Sequence, residues 1–164
     1  MATFKDYLEN NSLLILHGAL GTEMEALGYD ISGKLWSAKY LLEKSEVIQE
    51  LHETYVAAGA DLITTSSYQA TLPGLVEAGL TEKAAEQIIA LTVRLAKAAR
   101  DKVWGALDET EKAKRPYPLI SGDVGPYAAY LANGSEYSGD YGQITIKELK
   151  DFHRPRIQIL LDQG

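Results

Sequence analysis

The sequence contains no cysteine, and long apolar runs are also missing. Without cysteine, disulfide bonds, thiolate nucleophiles and cysteine-ligated metal are excluded within this chain. The longest run of Leu, Ile and Val is residues 13–16, whereas a membrane-spanning helix requires about 20 apolar residues. Charged residues interrupt positions 1–12, so no signal peptide is predicted and the cytoplasm is the expected compartment.

Positive charge is scarce as well. The 164 residues include 16 Lys and Arg against 23 Asp and Glu, a formal net charge of −7, and the basic residues form no block. Phosphate backbones and anionic lipids attract concentrated positive charge, so neither nucleic acid nor a membrane surface is an expected partner. The composition, 46% hydrophobic and 24% charged, is typical of a globular protein, and the length predicts a single domain over residues 1–164.

Three short apolar segments predict buried β-strands at residues 13–16, 61–65 and 118–121. Helical patterns separate them, and this alternation predicts an α/β fold in which crossover helices connect the strands of a parallel sheet. The predicted strands begin about 50 residues apart, which leaves long loops at their carboxyl ends. These loops are where α/β proteins bind their ligands.

Two helices are predicted between the strands. The first has Ser45 as its N-cap and Gly59 as its stop, and the second follows Thr81 and runs to about Lys102. The charged residues 108–115 show no apolar periodicity and are predicted to form a solvated connection.

A third helix is predicted after the third strand. Thr145 and Glu148 have the spacing of a capping box, in which each side chain satisfies a backbone N–H of the other residue. Pro155 is expected to break or kink this helix because proline has no N–H to donate.

The loop after the first strand, residues 17–23, contains two glycines that would let the backbone approach a ligand closely. It lacks the third glycine of a dinucleotide-binding fingerprint and the Gly-Lys-Ser/Thr of a phosphate loop, so a tight strand-to-helix turn explains it equally well. His17 is a candidate base or hydrogen-bond donor, or a polar side chain that is satisfied within the protein.

The other two loops are rich in hydroxyl groups and aromatic rings. Residues 64–71 either tie off the backbone at the end of a strand or form a polar rim for a small zwitterionic ligand. Residues 121–127 lead into a tyrosine-rich segment, whose rings either hold a cation or pack on the surface. The aromatic residues with these two possible roles are Trp36, Tyr68, Tyr127, Tyr130, Tyr137 and Tyr141.

Six segments resemble, in order, the amino-terminal half of homocysteine S-methyltransferases, most of all the bacterial and plant enzymes that use S-methylmethionine. The segments are residues 14–23, 35–38, 58–61, 66–71, 125–141 and 152–156. The resemblance implies a (β/α)8 TIM barrel, a fold that typically needs about 250 residues. The chain is therefore expected to form the first three βα units of such a barrel, truncated before the metal-binding half.

The resemblance also implies a chemistry. In this family, a zinc ion held by three cysteines binds the sulfur of homocysteine as a thiolate, which attacks the methyl group of a sulfonium donor and forms methionine. Those cysteines lie in the carboxyl-terminal half of the family. This chain is therefore expected to bind homocysteine and the donor while holding no metal and no catalytic residue, and to be inactive alone.

Six substrate-binding residues follow from the resemblance: His17, Gly18, Trp36, Thr64, Ser66 and Tyr68. The backbone of Gly18 would approach homocysteine, Thr64 and Ser66 would lie near its polar end, and Trp36 and Tyr68 would lie near the methyl donor. The last assignment agrees with the attraction of a sulfonium cation to aromatic faces.

Position 17 departs from the family pattern, in which an aspartate helps to hold the substrate ammonium group. An imidazole in its place removes an ion pair and, when protonated, adds repulsion. The sequence therefore predicts weakened substrate binding at His17.

A second hypothesis assigns the chain no catalysis. Three strands taken from a closed barrel would leave two unpaired edges, and such edges recruit further strands. The chain would then be a self-associating structural or regulatory module, and a homo-oligomer formed through the open edges is expected.

Overall fold

The computed structural model describes residues 4–10, 13–33 and 35–164, with the backbone alone for Asn10 and Trp36. Over these residues the chain is rich in helices and forms a small parallel sheet. The elements in chain order are α1 (Phe4–Asn10), α2 (Leu20–Ala26), a 3₁₀ helix (Trp36–Lys39), α3 (Tyr40–Glu43), α4 (Ser45–Ala57), β1 (Leu62–Thr64), α5 (Leu72–Glu77), α6 (Glu82–Ala106), α7 (Glu109–Lys112), β2 (Leu119–Ser121), α8 (Tyr127–Leu131), α9 (Ser135–Ser138) and α10 (Ile146–Asp162).

The strands β1 and β2 pair in parallel, with Ile63 opposite Ile120 at the centre of the register. Both lie within the segments predicted from the sequence. Parallel strands need a crossover connection, and here α5, α6 and α7 provide it. The α/β alternation of the second and third predicted strands is therefore confirmed.

The predicted first strand is reduced to one parallel bridge between Leu16 and Leu62. The N–H of His17 donates to the Leu62 carbonyl at 3.1 Å, and the N–H of Leu62 donates to the Ile15 carbonyl at 3.1 Å. The prediction that this segment is buried is wrong, since Leu13 is 65% exposed and Ile15 is 53% exposed. Within the described residues the segment pairs with β1 along one side, which leaves these apolar side chains uncovered.

The two predicted crossover helices form, with shifted ends. Lys44 rather than Ser45 is the N-cap of α4, and Ser45 is its first helical residue. Gly59, at a φ of 104°, follows the end of α4 as expected of a glycine after a helix. The Thr81 hydroxyl caps α6, which extends past Lys102 to Ala106 because Trp104 in its last turn packs against Tyr117, with ring centroids 5.3 Å apart.

The helix α10 begins with the predicted capping box of Thr145 and Glu148. Pro155 does not break the helix, which continues to Asp162, and the alternative that the proline kinks it stays a prediction. Arg156 and Leu160, beyond the proline, are both held in the protein interior and keep the last turns in place.

The connection at residues 108–115 is also more ordered than predicted. It contains the short helix α7, whose N-cap Asp108 forms a capping box with Glu111. Its side chains are mostly exposed, as expected of a solvated segment.

The apolar core lies where α4, α5, α6 and α10 meet. Its fully buried members include Ile48, Leu75 and Ile89, and Leu160 contributes from α10. A smaller cluster around Val56 and Ile63 joins α4 and α6 to the sheet. In the part of the chain that the structure describes, no helix has both the length and the apolar character required to cross a bilayer.

Candidate functional site

The loops that follow Leu16, β1 and β2 surround a cleft of about 580 Å³. Parallel strands place their carboxyl ends at the same edge of the sheet, which brings loops distant in sequence together. Five of the six predicted site residues line this cleft: His17, Gly18, Thr64, Ser66 and Tyr68. The side chain of the sixth, Trp36, lies outside the described residues.

Both ring nitrogens of His17 have partners. Nδ1 lies 2.5 Å from the Gly18 carbonyl oxygen, and Nε2 lies 2.6 Å from the Thr64 hydroxyl. A carbonyl only accepts, so Nδ1 carries the proton, and in the neutral ring Nε2 accepts from Thr64. Burial lowers the pKa of His17, against the opposing effects of its hydrogen bonds and of Asp123. His17 is therefore a neutral, satisfied side chain at pH 7.

Gly18 lies close against the ring of Tyr55. A Cβ at this position would lie 2.8 Å from Cε1 of Tyr55 and 2.9 Å from its hydroxyl. The Tyr55 ring also packs against His17, with centroids 5.1 Å apart, and the buried ring of His52 meets His17 edge-on at 6.0 Å. The glycine thus fits the turn interpretation, while its backbone remains on the cleft.

Two hydroxyl groups in the loop after β1 form hydrogen bonds with the backbone of the loop after β2. The N–H of Asp123 donates to Oγ1 of Thr65 at 2.9 Å, the Thr65 hydroxyl lies 2.6 Å from Oγ of Ser67, and Ser67 donates to the Asp123 carbonyl at 2.6 Å. With Thr65 donating to Ser67, every oxygen in this ring is satisfied. The ring joins the loop after β1 to the loop after β2.

Ser66 differs from its neighbours. Only 7% of the surface of Ser66 is exposed, and its hydroxyl has no hydrogen-bond partner among the described residues. It lines the cleft. Because an unpaired buried hydroxyl costs about 1–3 kcal/mol, a ligand in the cleft that pairs with Ser66 would recover that energy.

Arg156 fixes the same two loops from α10. Its guanidinium donates to the carbonyl oxygens of Ser67 at 3.1 Å, Tyr68 at 3.0 Å and Gly125 at 2.6 Å, and the residue is only 1% exposed. Burial lowers the pKa of Arg156 to about 10, so it stays charged at pH 7. Arg156 was not predicted as a site residue, although it lies in the segment 152–156.

Gly125 completes this arrangement. A Cβ there would overlap the Tyr68 carbonyl oxygen, which also accepts from Arg156. Any larger residue would therefore separate the two loops. The glycine-rich third loop owes at least this glycine to close packing.

Asp123 was also missed as a site residue, although the sequence places it in the third loop. It lines the cleft and is half-buried. Burial raises the pKa of its carboxyl group, whereas the charge of Arg156 and a hydrogen bond from the backbone of Val124 lower it. Within the described residues no cationic side chain forms an ion pair with it.

The aromatic residues differ in their surroundings. Tyr68 lines the cleft with 39% of its surface exposed, so its ring is available to a ligand. Tyr127 and Tyr130 pack instead against Phe152, with ring centroids 5.0 and 5.3 Å apart. Tyr137 is 85% exposed. The packing interpretation therefore holds for Tyr127 and Tyr130.

The residues present do not fit a zinc site. The chain has no cysteine. Across residues 4–10, 13–33 and 35–164, no three His, Asp or Glu side chains come together as metal ligands.

The comparisons with known proteins point to one family. The family model for homocysteine S-methyltransferase matches residues 14–164. Homocysteine S-methyltransferase YbgG of Bacillus subtilis is 44% identical over 164 residues, which are 100% of this chain and 51% of that protein. Homocysteine S-methyltransferase 1 of Zea mays is 44% identical over 151 residues, covering 92% of this chain and 47% of that protein.

A solved structure gives the same result. The metallated form of the homocysteine methyltransferase MmuM from Escherichia coli matches with a TM-score of 0.81 at 43% identity, over 96% of this chain and 53% of that chain. The chain spans about half the length of the curated relatives it matches.

Proposed function

Since this chain belongs to the homocysteine S-methyltransferase family, we propose that its cleft binds homocysteine beside a sulfonium methyl donor, such as S-methylmethionine, in the reaction that forms methionine. The observation that carries the proposal is the meeting of three loops around one cleft, with the buried Ser66 hydroxyl free to pair with a ligand. Such convergent polar groups orient a small substrate.

The roles of the lining residues follow from their surroundings. The Ser66 hydroxyl donates to the carboxylate of the amino acid, and the backbone at Gly18 lets the substrate approach closely. Tyr68 presents its ring to the sulfonium donor, an attraction worth about 0.5–2 kcal/mol. Thr64 contributes indirectly, because its hydroxyl holds the ring of His17.

Activation of the thiol is a separate requirement. A free thiol has a pKa of about 8.5 and is mostly protonated at pH 7. Because the described residues contain no group of metal ligands and His17 is fully hydrogen-bonded, we assign to these residues the binding and orientation of substrates and no part in forming the thiolate.

The proposal extends to the architecture. The bridge at Leu16, β1 and β2 are parallel neighbours in chain order, as the first three strands of a (β/α)8 barrel would be. Self-association through the sheet edges stays a prediction. The exposed Leu13 and Ile15 beside β1 support it.

Calorimetric titration of the 164-residue chain tests the function. We expect L-homocysteine and S-methylmethionine to bind, and no methionine to form. Failure of both ligands to bind would refute the proposal, and methionine formation by this chain alone would refute the division between binding and activation.

A pair of serine variants makes this test specific. Ser66→Ala should weaken homocysteine binding by about 3–10-fold, the loss of one hydrogen bond, and should not lower the melting temperature of the ligand-free chain, because it removes a buried hydroxyl that has no partner there. Ser67→Ala should instead lower the melting temperature, because Ser67 belongs to the hydroxyl ring. Equal effects of the two variants on binding would contradict the role of Ser66.

A further inference from the structure

The proposed substrate carries an ammonium group, and the cleft must supply an anion for it. An unpaired ammonium group that leaves water is costly, and a carboxylate is the usual partner. His17 cannot serve, because it is neutral and its Nδ1–H and Nε2 are already engaged by Gly18 and Thr64.

Two acidic side chains line the cleft among the described residues, and their surroundings differ. Glu25 is exposed on α2, where solvent screens its charge. Asp123 is half-buried in the loop after β2, and no cationic side chain forms an ion pair with its carboxylate within the described part of the chain. An ion pair is worth more at Asp123 because screening is weaker there.

The position of Asp123 is also well fixed. Its backbone N–H and carbonyl both belong to the hydroxyl ring with Thr65 and Ser67. Ser66 lines the same cleft, and its buried hydroxyl has no hydrogen-bond partner among the described residues. The loops after β1 and β2 thus offer an anion and a hydrogen-bond donor, which is the pair of groups that a zwitterionic amino acid requires.

We infer that Asp123 is the anion that binds the α-ammonium group of the amino-acid substrate in this chain, a role that the residue at position 17 does not fill. This inference rests on the proposed function and adds to it the residue that selects an amino acid over a simple thiol acid.

Two ligands and two carboxylate variants test the inference. L-homocysteine and 4-sulfanylbutanoate share the thiol and the carboxylate, but only homocysteine has the ammonium group. We expect the wild-type chain to bind homocysteine about tenfold more tightly, as one charge-assisted hydrogen bond provides. Asp123→Asn should abolish that preference, while Asp123→Glu should retain part of it.

Glu25→Gln is the matched control, since it removes the same charge from the same cleft. It should leave the preference unchanged. If Asp123→Asn does not fold, as judged by circular dichroism, Asp123→Ser provides the same measurement.

The outcomes separate the two claims. If wild-type protein binds homocysteine and Asp123→Asn keeps the tenfold preference, the role of Asp123 is refuted and the proposed function stands. If the preference disappears in Glu25→Gln instead, the anion is Glu25 and the inference is likewise wrong. If wild-type protein binds neither ligand, the proposed function fails and the inference fails with it.

Discussion

The cleft has two walls that are held in different ways. The first wall, residues 17–22, follows a single bridge at Leu16. The second wall consists of residues 65–69 and 122–125, which are joined by the buried guanidinium of Arg156 and by the hydroxyl ring. The first wall rests on the rings of Tyr55 and His52. Rings can rotate or shift, while backbone carbonyls held by a buried cation cannot move without losing hydrogen bonds. The two walls should therefore differ in their tolerance to substitution, with the second wall the more sensitive.

The largest expected effect comes from removing the cation of the second wall. Arg156→Met leaves three carbonyl oxygens without their donor, and we expect the free energy of unfolding to fall by about 3–5 kcal/mol. Urea denaturation measures it. Arg154→Met is the control, since Arg154 is exposed on the same helix and pairs only loosely with Asp151 at 3.8 Å. It should change stability by less than about 0.5 kcal/mol. Similar losses in both variants would contradict the role of the buried cation.

Lowering the pH should reduce the free energy of unfolding through His52, which lies beneath the first wall. Burial lowers the pKa of His52 to about 4, from 6.5 in the unfolded chain. Between these values the unfolded state binds a proton that the folded state does not, so the free energy of unfolding falls as the pH falls from 6.5 to 4. The expected loss is about 3 kcal/mol.

Urea denaturation at several pH values measures this slope. His52→Gln should reduce it, because glutamine does not titrate. An unchanged slope in this variant would show that His52 is not its source. Arg156 stays charged throughout this range.

The glycines of the two walls give the most direct comparison. Gly125→Ala places a Cβ against the fixed Tyr68 carbonyl, so we expect a loss of about 2–3 kcal/mol, as for overpacking in a core. Gly18→Ala places it against the ring of Tyr55, which can shift, and the loss should be about 1 kcal/mol. Thermal melts measure both.

Gly105→Ala is the control for these two variants. It lies in α6 with nothing within 4 Å of the added Cβ, so the substitution should raise stability by about 0.5–1 kcal/mol. A smaller loss for Gly125→Ala than for Gly18→Ala would reverse the proposed difference between the walls.

The features that the sequence predicted correctly depend on residues that are close together along the chain. The capping box of Thr145 and Glu148 is a local hydrogen-bond pattern and forms as predicted, and α6 begins after Thr81 as predicted. The placement of ligand loops after the parallel strands also follows from local patterns, and five of the six predicted residues do line one cleft.

Apart from the N-cap of α4, which is Lys44 and not Ser45, the errors concern features that depend on residues distant in the sequence. The burial expected at residues 13–16 requires elements on both sides, and the described residues supply one. A proline usually ends a helix, but the interior contacts of Arg156 and Leu160 keep α10 continuous. The role of Arg156 was not visible because an arginine on an amphipathic helix usually faces solvent.

The contacts of Arg156 also determine when the two loops become linked during synthesis of the chain. The residue reaches back 89 positions to the Ser67 carbonyl and 31 positions to that of Gly125. Contacts so distant along the polypeptide form late, because chain closure has an entropic cost. While the ribosome has released only the segment through β2, the loops after β1 and β2 still lack the guanidinium that joins them, and they become linked only when α10 emerges and docks.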